Sequence, residues 1–325
     1  MAVDFPLRVA ADRPGRVSGG AGLVSAHCRP GGGAARLSGA ALRLRYPAPM
    51  SLTEAEARGL IDLVRQVAKA EILPRFRQLD AVDVRSKSHA DDLVTVADLA
   101  AETALTAGAT RVLPDAAVVG EEAVSADPLV LDRIAGPGRT VVLDPIDGTW
   151  NFAHGLAVFG VILAVVEAGE TVFGLLYDPV FDDWVAAQRG AGAWFETGAG
   201  ARRALRFEAA PPVTEAGGYV PLALYPAARR AEVAREMAAI HRAGTLRCSC
   251  HEYRQLLTGG AEFCLAAMLN VWDHAAGVLA VQEAGGQAAL ADGTPYRPEL
   301  RAGHLITAAD APLWQALQAR FGAAL

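Results

Sequence analysis

The spacing of apolar residues after position 50 indicates a helix. The stripe that defines it consists of Leu60, Ile61, Val64, Val67 and Ala68. Steps of three and four residues place these side chains on one face of an amphipathic helix. The segment 51–54, Ser-Leu-Thr-Glu, precedes the stripe and has the pattern of a capping box, which predicts a helix start at this point. Pro74 is expected to kink the far end of this helix.

Short apolar runs and further helical stretches follow in mixed order along the rest of the chain. Strands are predicted at 117–120, 141–143, 158–166, 171–177, 184–187, 193–195, 213–219 and 305–308. Helices are predicted at 97–113, 227–243, 253–257 and 312–321, and another begins near Asp273. Two of the strands are expected to pair around Gly169, and Pro211-Pro212 indicates a boundary between two lobes. Such mixed order is typical of a layered α/β architecture.

The composition is that of a chain able to bury a large core. Of its 325 residues, 52% are hydrophobic and 20% are charged, and this length allows one large or two ordinary domains. No stretch approaches the roughly 20 uninterrupted apolar residues of a membrane helix, so no membrane partner is expected. The net charge of −6 gives no support to general nucleic-acid binding. The four cysteines show no disulfide or zinc-ligand spacing, which favours free thiols in a reducing compartment.

Residues 1–49 differ from the rest of the chain in charge and in pattern. They contain seven Arg, no Lys and two Asp, a net charge of +5, and they show no helical or strand periodicity. Rich in Arg and poor in acidic residues, the segment superficially suits a transit peptide, but it lacks a clear amphipathic face. We expect it to be disordered, or to precede a functional start at Met50. Peptides from residues 1–49 in mass spectra of the native protein would contradict the second alternative.

The segment 144–149, Asp-Pro-Ile-Asp-Gly-Thr, carries the strongest chemical signal. It follows the apolar run 141–143, so its two carboxylates are expected where a buried strand ends. Carboxylate oxygens in such a place suit a hard cation such as Mg²⁺. Gly148 lets the backbone approach a ligand closely, and Thr149 opens a segment whose N–H groups could face an anion. These features suit metal-assisted phosphoester hydrolysis, although Asp, Pro and Gly also cluster in ordinary turns.

Two further acidic groups stand at the ends of predicted elements. Glu121 and Glu122 follow the apolar run Val118-Val119, and Asp273 precedes small residues that predict a helix start. Three acidic clusters in such positions predict convergence on one site. Convergence by chance is then the weaker explanation.

Four motifs in order resemble the inositol monophosphatase-like family of Mg²⁺-dependent, lithium-sensitive phosphatases. They are Asp92–Asp98 with the pattern D-L-V-T-x-x-D, G-E-E at 120–122, D-P-I-D-G-T at 144–149 and W-D-H-A-A-G at 272–277; Lys87 stands where members often carry lysine. The resemblance covers about residues 50–325. It implies an α-β-α-β-α sandwich with a metal site between a larger lobe at 50–210 and a smaller lobe at 211–325. It also implies two or three Mg²⁺ ions, a homodimer and a cytoplasmic protein.

The resemblance further implies a role for each motif residue. The metal ligands would be Glu121, Asp144, the Ile146 carbonyl, Asp147 and Asp273. The catalytic residues would be Glu121 and Thr149, which orient the attacking water, with Asp98 in support. The substrate, a small phosphorylated metabolite, would contact Asp147, Gly148, Thr149, Ser249 and Asp273.

The substrate is less well defined than the reaction. Inositol-type members commonly carry a Glu seven residues before the Asp of the last motif, and this chain has Ala266 there. A methyl group accepts no hydrogen bond from a sugar hydroxyl, which argues against inositol 1-phosphate. Within the segment 251–254, Glu252 could instead pair with a cationic substrate such as histidinol phosphate, or the segment could only pack. A second function class is also open: a regulatory binding protein that keeps the fold without catalysis.

Other polar residues near the motifs are expected to be structural. Glu122 is expected to support the site or to lie at the surface, and Lys87 is a solvated lysine if it has no role in the site. Packing positions are expected for Trp272, His274 and Cys264, and a solvated turn for Asp182-Asp183. His154 is expected in a solvated or core position, although it lies close enough to the phosphate turn to touch the substrate.

Overall fold

The computed structural model describes residues 52–325. The expectations for residues 1–49 and for a start at Met50 lie outside the described residues. Helix α1 spans Glu54–Val67 and begins two residues later than the sequence pattern predicts. Its capping box consists of Thr53 and Glu56: Glu56 N–H donates to Thr53 Oγ1 over 3.2 Å, and Thr53 N–H donates to Glu56 Oε2 over 2.7 Å. The Ser51–Glu54 assignment is therefore wrong, since Thr53 holds the N-cap.

The first helix departs from regular α-helical geometry before it ends. After α1 the chain continues through a π-helical turn at Ala68–Ile72 and a 3₁₀ turn at Leu73–Arg75 that contains Pro74. Proline removes one backbone donor and clashes with the preceding turn, which explains why regular helix ends ahead of it. Pro74 therefore lies where the helix ends and does not kink a continuing helix.

A seven-stranded sheet forms the larger part of the fold. Its strands are β3 (Ala117–Gly120), β4 (Arg139–Asp147), β5 (Gly160–Glu167), β6 (Glu170–Asp178), β7 (Asp183–Gln188), β8 (Gly192–Thr197) and β9 (Arg202–Leu205), in that spatial order. Strands β3 and β4 are parallel, and the remaining pairs are antiparallel. A separate two-stranded sheet pairs β1 (Val84–Ser86) with β2 (Leu93–Thr95). The expected pairing around Gly169 is confirmed by β5 and β6.

A second sheet of five strands lies later in the chain. It contains β10 (Gly217–Tyr219), β11 (Arg242–Gly244), β12 (Phe263–Ala266), β13 (Gln287–Leu290) and β14 (Leu305–Ala308), in the order β11-β10-β12-β14-β13. The two sheets separate along the chain between Leu205 and Gly217. The division into lobes at 210–211 remains a proposal.

Helices cover both sheets in alternating layers. Besides α1 they are α2 (Val96–Val112), α3 (Glu121–Ala126), α4 (Thr149–Ala153), α5 (Ala227–Met237), α6 (Ser249–Thr258), α7 (Val271–Glu283) and α8 (Ala311–Phe321). Helices α1 and α2 pack on one face of the large sheet, α6 and α7 lie between the two sheets, and α5 and α8 pack together beside the small sheet. This is the expected α-β-α-β-α sandwich.

Both faces of the large sheet are buried, which explains its continuous apolar runs. In β4, Val141 and Leu143 belong to the core shared with α1 and α2, whereas Val142 belongs to the core shared with α7. Because successive strand side chains point to opposite faces, a strand covered on both sides needs apolar residues at every position. The run 141–143 therefore identifies a central strand.

Several predicted boundaries in the later part of the chain are wrong. The helix predicted at 227–243 ends at Met237, because residues 242–244 form β11 and pair in parallel with β10. The strand predicted at 213–219 is confined to β10, and the helix predicted at 253–257 begins at Ser249. Helix propensity over 238–243 is overridden by pairing in the sheet. None of the helices in residues 52–325 is long and apolar enough to cross a membrane.

Candidate active site

The site begins at the edge where β3 and β4 end. The two strands are parallel and adjacent, with Gly120 opposite Leu143, so their carboxyl ends meet at one edge. Glu121 follows β3 directly, while Asp144 and Asp147 lie in the last part of β4. Parallel pairing therefore brings together acidic residues that are more than 20 positions apart in the chain.

A bulge in β4 aims its two Asp side chains. Asp144 lies opposite Ile162 and Asp147 lies opposite Gly160, so β4 has one more residue than β5 between these pairs. Asp144 Oδ1 accepts a hydrogen bond of 3.1 Å from Ile146 N–H, which fixes the turned backbone. A side chain at position 160 would overlap Cys250 and lie 2.9 Å from the Tyr177 carbonyl oxygen. Glycine is therefore required opposite the bulge.

Helix α7 supplies the third Asp. Asp273 lies in its first turn, where Asn270 Nδ2 donates to Asp273 Oδ2 over 3.0 Å. Carboxylate oxygens of Asp144, Asp147 and Asp273 all lie within 4.8 Å of one another. Three oxygens at this separation form a donor set suited to a hard divalent cation.

The amino terminus of α6 closes on Asp147 from the other side. Asp147 Oδ2 accepts a hydrogen bond from Cys250 N–H, and Cys248 Sγ lies 3.2 Å from the same oxygen. Helix N-termini favour negative charge, so α6 helps to keep this carboxyl group in place. Cys248, Cys250 and Cys264 are buried free thiols, as expected for the cysteines among residues 52–325.

Burial makes the charged state of this cluster costly. Desolvation, followed by repulsion from Asp273, raises the pKa of Asp147 to about 8. Burial also raises the pKa of Asp273 to about 6 and, against the opposing charge of Lys87, the pKa of Glu121 to about 7. The pKa of Asp144 lies well above its ordinary range because of burial and repulsion from Glu121, Asp147 and Asp273. A divalent cation would offset both the desolvation of these carboxylates and their mutual repulsion, so the residues present fit such an ion.

A buried hydrogen-bond network holds Thr149. Its hydroxyl lies 3.1 Å from Asp98 Oδ1 and 2.9 Å from the Ile146 carbonyl oxygen, and its single proton can serve only one of them. Asp98 is completely buried and also accepts from Thr95 N–H over 2.9 Å. Burial raises the pKa of Asp98 to about 7. Asp98 thus contacts Thr149 from the buried side of the site.

The turn before Thr149 requires glycine. Gly148 has a φ of +87°, in the left-handed region. A Cβ atom at this position would lie 2.9 Å from the Val158 carbonyl oxygen and 3.1 Å from Cys248 Cβ. Residue 148 therefore has both a backbone conformation and surroundings that a side chain would disturb.

Lys87 is part of this acidic centre and is not solvated. Its Nζ lies 2.7 Å from Glu121 Oε1 and 2.8 Å from Glu122 Oε1, and its own side chain is mostly buried. Burial opposes its charge, but the two glutamates raise the pKa of Lys87 above its usual range. Glu122 supports Glu121 through this shared lysine, one of the two positions expected for it.

The acidic centre lies beside a cleft of about 900 Å³. Of the expected site residues, Glu121, Asp147, Gly148, Thr149, Ser249 and Asp273 line it directly. Asp98, Asp144 and Ile146 lie behind this wall, each at most 2% exposed. Ala266 and Glu252 also face the cleft.

A model of the family described as the inositol monophosphatase family matches residues 54–324. This chain belongs to the inositol monophosphatase family. It is a phosphatase of that family. An inositol-1-monophosphatase of Caulobacter vibrioides is 30% identical over 243 residues, which cover 72% of this chain and 88% of the relative.

Two further proteins resemble the chain to a similar degree. A Pseudomonas aeruginosa protein named Nus factor SuhB is 32% identical over 247 residues, covering 71% of this chain and 84% of that protein. The solved structure of an IMPase from Thermotoga maritima matches with a TM-score of 0.66 and 24% identity, covering 81% and 94% of the two chains. This structural match supports the layered fold.

The segment 251–254 is used mainly for internal contacts in this family member. His251 Nε2 lies 3.0 Å from the Phe159 carbonyl oxygen, and Arg254 donates to the Leu176 carbonyl oxygen over 2.9 Å. Glu252 Oε1 accepts from Thr245 Oγ1 over 2.8 Å and from Leu246 N–H over 2.7 Å. Burial raises the pKa of Glu252 to about 7. Glu252 therefore fixes the neighbouring loop.

The remaining polar residues show one wrong prediction. His274 contacts the Tyr253 hydroxyl and the Met268 carbonyl oxygen and is structural, whereas His154 is exposed, as one of its alternatives stated. Trp272, in the first turn of α7, packs against the core. Asp182-Asp183 is not a solvated turn, because Asp182 pairs with Arg65 and Lys69, and Asp183 pairs with Arg254. Long-range ion pairs of this kind leave no local sequence signal.

Sequence reasoning missed two supporting residues. Glu102 accepts from Glu122 N–H and Ala123 N–H, each over 2.8 Å, and so caps α3 where the first acidic motif begins. Asn151 Nδ2 donates to the carbonyl oxygens of Val158 and Leu246, each over 2.8 Å. Asn151 follows Thr149 by two residues, so its closeness to the motif could have predicted a role for it. No sequence feature marks Glu102.

Proposed function

We propose that this protein is a Mg²⁺-dependent phosphatase that hydrolyses a small phosphate monoester by attack of water. The observation that carries the proposal is the cluster of Asp144, Asp147 and Asp273 oxygens within 4.8 Å, beside Thr149 and the Gly148 turn. A cluster of acidic side chains alone would suit simple metal binding. A buried hydroxyl–carboxylate pair at its edge is suited to orienting a reacting water.

The metal ligands are proposed from the match to the family motifs, and the clustering of Asp144, Asp147 and Asp273 supports them. Glu121, Asp144, the Ile146 carbonyl, Asp147 and Asp273 would hold two or three Mg²⁺ ions, because oxygen donors and clustered negative charge are what this cation prefers. When bound, Mg²⁺ lowers the pKa of water and neutralises charge that develops on the phosphate oxygens.

The side chains then position the reacting groups. If Thr149 donates its proton to Asp98 Oδ1, its oxygen lone pairs are left to accept a hydrogen bond from the attacking water. Glu121, at the cleft wall, would accept a hydrogen bond from the other O–H of that water, so that Thr149 and Glu121 orient it together. The backbone N–H groups of Gly148 and Thr149, at the start of α4, bind the phosphate. Ser249, Asp147 and Asp273 line the space for the rest of the substrate.

The cleft also bears on which monoester is hydrolysed. Ala266 faces the cleft, which supports the argument that a hydroxyl contact common in inositol-type members is missing. Glu252 is held by Thr245 and Leu246, which weakens the specific argument for histidinol phosphate. A volume of about 900 Å³ suits a small metabolite.

The test is phosphate release by residues 50–325 and by the full chain with Mg²⁺. The substrates are inositol 1-phosphate, histidinol phosphate, fructose 1,6-bisphosphate and 3′-phosphoadenosine 5′-phosphate. Asp144→Asn should abolish turnover, whereas Asp62→Asn, on the exposed surface of α1, should not. Full activity in Asp144→Asn would contradict the metal assignment.

A regulatory binding protein is the second candidate, favoured by the resemblance to a protein named Nus factor SuhB. It predicts Mg²⁺ binding without hydrolysis of any ester. The retained Thr149–Asp98 pair supports catalysis, since a scaffold has no use for it. We further propose a cytoplasmic homodimer without nucleic-acid or membrane partners; light scattering of the purified protein tests the dimer.

A further inference from the structure

Two arginines line a cleft in which the other charged side chains are Asp and Glu. Arg230 and Arg247 face the same space as Asp147 and Asp273. Arg230 Nε and one terminal nitrogen donate to the carbonyl oxygens of Tyr225 and Ala223, over 2.8 and 2.6 Å. Arg230 therefore binds backbone carbonyl oxygens of the preceding turn, and Arg247 is the candidate for contact with a ligand.

The guanidinium group of Arg247 is held beside the phosphate turn. Its central carbon lies 4.1 Å from the ring centroid of Trp150, the residue that follows Thr149. The Trp150 ring in turn stacks with His154 at 3.9 Å, and His154 Nδ1 lies 2.7 Å from the Trp150 carbonyl oxygen. Stacking fixes the plane of the guanidinium and leaves its N–H edge available to an anion.

The backbone that carries Arg247 is also fixed. Arg247 has a φ of +55°, a left-handed conformation that costs energy for a residue with a side chain. The loop keeps this conformation because Glu252 binds Thr245 and Leu246, while Asn151 binds the Leu246 carbonyl oxygen. Buried Glu252 and Asn151 therefore hold the arginine towards the cleft.

The charge of Arg247 is only weakly satisfied. Within residues 52–325, the acidic side chain paired with it is Asp91, at 3.8 Å, and the Asp91 side chain is 66% exposed. A loose pair of this kind at the surface contributes little stability, so an incoming anion can replace it. The Arg247 side chain is itself 39% exposed, so the advantage it offers an anion is the fixed orientation of its planar fork, which suits bidentate bonds with carboxylate or phosphate.

We propose that Arg247 binds a second anionic group of the substrate, so that the preferred phosphate ester also carries a carboxylate or another phosphate. This inference rests on the proposed phosphatase function. The reacting phosphate lies at the Gly148–Thr149 turn, and the second anion lies on the Trp150 side of the cleft. Arg247 is thus a specificity-determining residue.

The first experiment compares esters that differ only in the second anion. Fructose 1,6-bisphosphate is paired with fructose 1-phosphate, and 3-phosphoglycerate with glycerol 3-phosphate; the two pairs distinguish phosphate from carboxylate. The wild-type protein should favour the doubly anionic member in kcat/KM, and Arg247→Ala should reduce that preference by about tenfold or more. Arg247→Lys should recover part of it, because lysine keeps the charge without the planar fork.

A matched control comes from another stacked arginine. The guanidinium of Arg202 lies 4.0 Å from the Trp194 ring centroid, on strand β9 and away from the cleft. Arg202→Ala removes an equivalent stacking contact and should leave the substrate preference unchanged. A preference that falls equally in both variants would overturn the proposal.

The second experiment separates recognition from turnover. Calorimetry with Mg²⁺ present measures binding of 3-phosphonopropionate and propylphosphonate, which share a non-hydrolysable phosphonate and differ in one carboxylate. Arg247→Ala should weaken only the advantage of the carboxylate-bearing compound. Equal weakening of both would show that Arg247 holds the reacting phosphate, and no change would show that it holds neither; both overturn the proposal. Discrimination by binding without hydrolysis of any ester would instead refute the phosphatase function alone.

Discussion

Replacing Asp144 by Asn should stabilise this protein when divalent cations are removed, although it should abolish activity. Asp144 is 2% exposed, and its pKa is raised by burial and then by repulsion from four other acidic side chains. Asparagine has nearly the same shape, and its carbonyl oxygen can still accept the hydrogen bond from Ile146 N–H. The substitution therefore removes a repelled charge while it preserves the local geometry.

The size of the effect follows from the separation of the carboxylates. Asp144, Asp147 and Asp273 have oxygens within 4.8 Å of one another. At an effective dielectric constant of about 20, two unit charges at that distance repel by about 3.5 kcal/mol. Partial protonation limits this cost, so we expect a gain of about 3 kcal/mol at pH 8 in EDTA. For a domain of this size that gain corresponds to a rise in Tm of roughly 6–12 °C.

The pH dependence has a defined sign. The pKa values of Asp147, Glu121 and Asp273 are raised to about 8, 7 and 6, mainly by burial, so the folded state binds more protons than the unfolded state. Without cations, stability is then highest below the unfolded pKa near 4 and falls as the pH rises towards 8. Asp144→Asn should fall less steeply, and the difference from wild type should vanish near pH 4.

Thermal unfolding from pH 4 to pH 8, in EDTA and in Mg²⁺, measures all of these effects. Mg²⁺ should raise the Tm of the wild type and of Asp62→Asn, and should have little effect on Asp144→Asn. An Asp144→Asn protein that is less stable than wild type in EDTA at pH 8 would refute the argument. Equal stabilisation of both proteins by Mg²⁺ would remove Asp144 from the ligand set.

Three further substitutions test separate parts of the site. Thr149→Ala should lower kcat about 100-fold or more, whereas Thr149→Ser should retain most activity; equal loss in steady-state assays would exclude a role for the hydroxyl. Gly148→Ala should lose activity and about 2 kcal/mol of stability in urea unfolding, because φ is +87° and Val158 blocks the Cβ; unchanged unfolding would contradict this. Ala266→Glu should improve kcat/KM for inositol 1-phosphate; no change would show that residue 266 does not meet the ligand.

The acidic centre was largely predictable because its geometry follows from strand order and local chemistry. Asp144 and Glu121 each follow an apolar run, and the parallel pairing of those strands brings the two ends together. Strands with uninterrupted apolar residues were also predictable, since a strand that is buried on both faces needs an apolar residue at each position. The catalytic roles of these residues remain predictions.

The small sheet was less predictable because several of its strands carry weak local signals. Strand β13 has the sequence Gln-Ala-Ala-Leu, and β11 is the three residues Arg242–Gly244. Alanine, glutamine and arginine have no preference for strands, so only neighbouring strands in the folded sheet decide their conformation. The predicted helix at 227–243 extended too far for this reason. The pairing of Asp182 with Arg65 is a comparable case, since 117 positions separate the two residues.

Helix α6 connects the acidic centre to the part of the cleft that is proposed to recognise the substrate. At its first turn, Cys250 N–H binds Asp147, while Glu252 of the same turn binds the loop that carries Arg247. A shift of this turn would therefore displace a proposed metal ligand and a proposed recognition residue together. Glu252→Gln keeps an acceptor oxygen but removes the charge, so it should disturb the loop more than the metal cluster. Substrate preference should consequently change more than Mg²⁺ affinity. The reverse result would mean that Glu252 acts mainly on the metal cluster and not through the loop that carries Arg247.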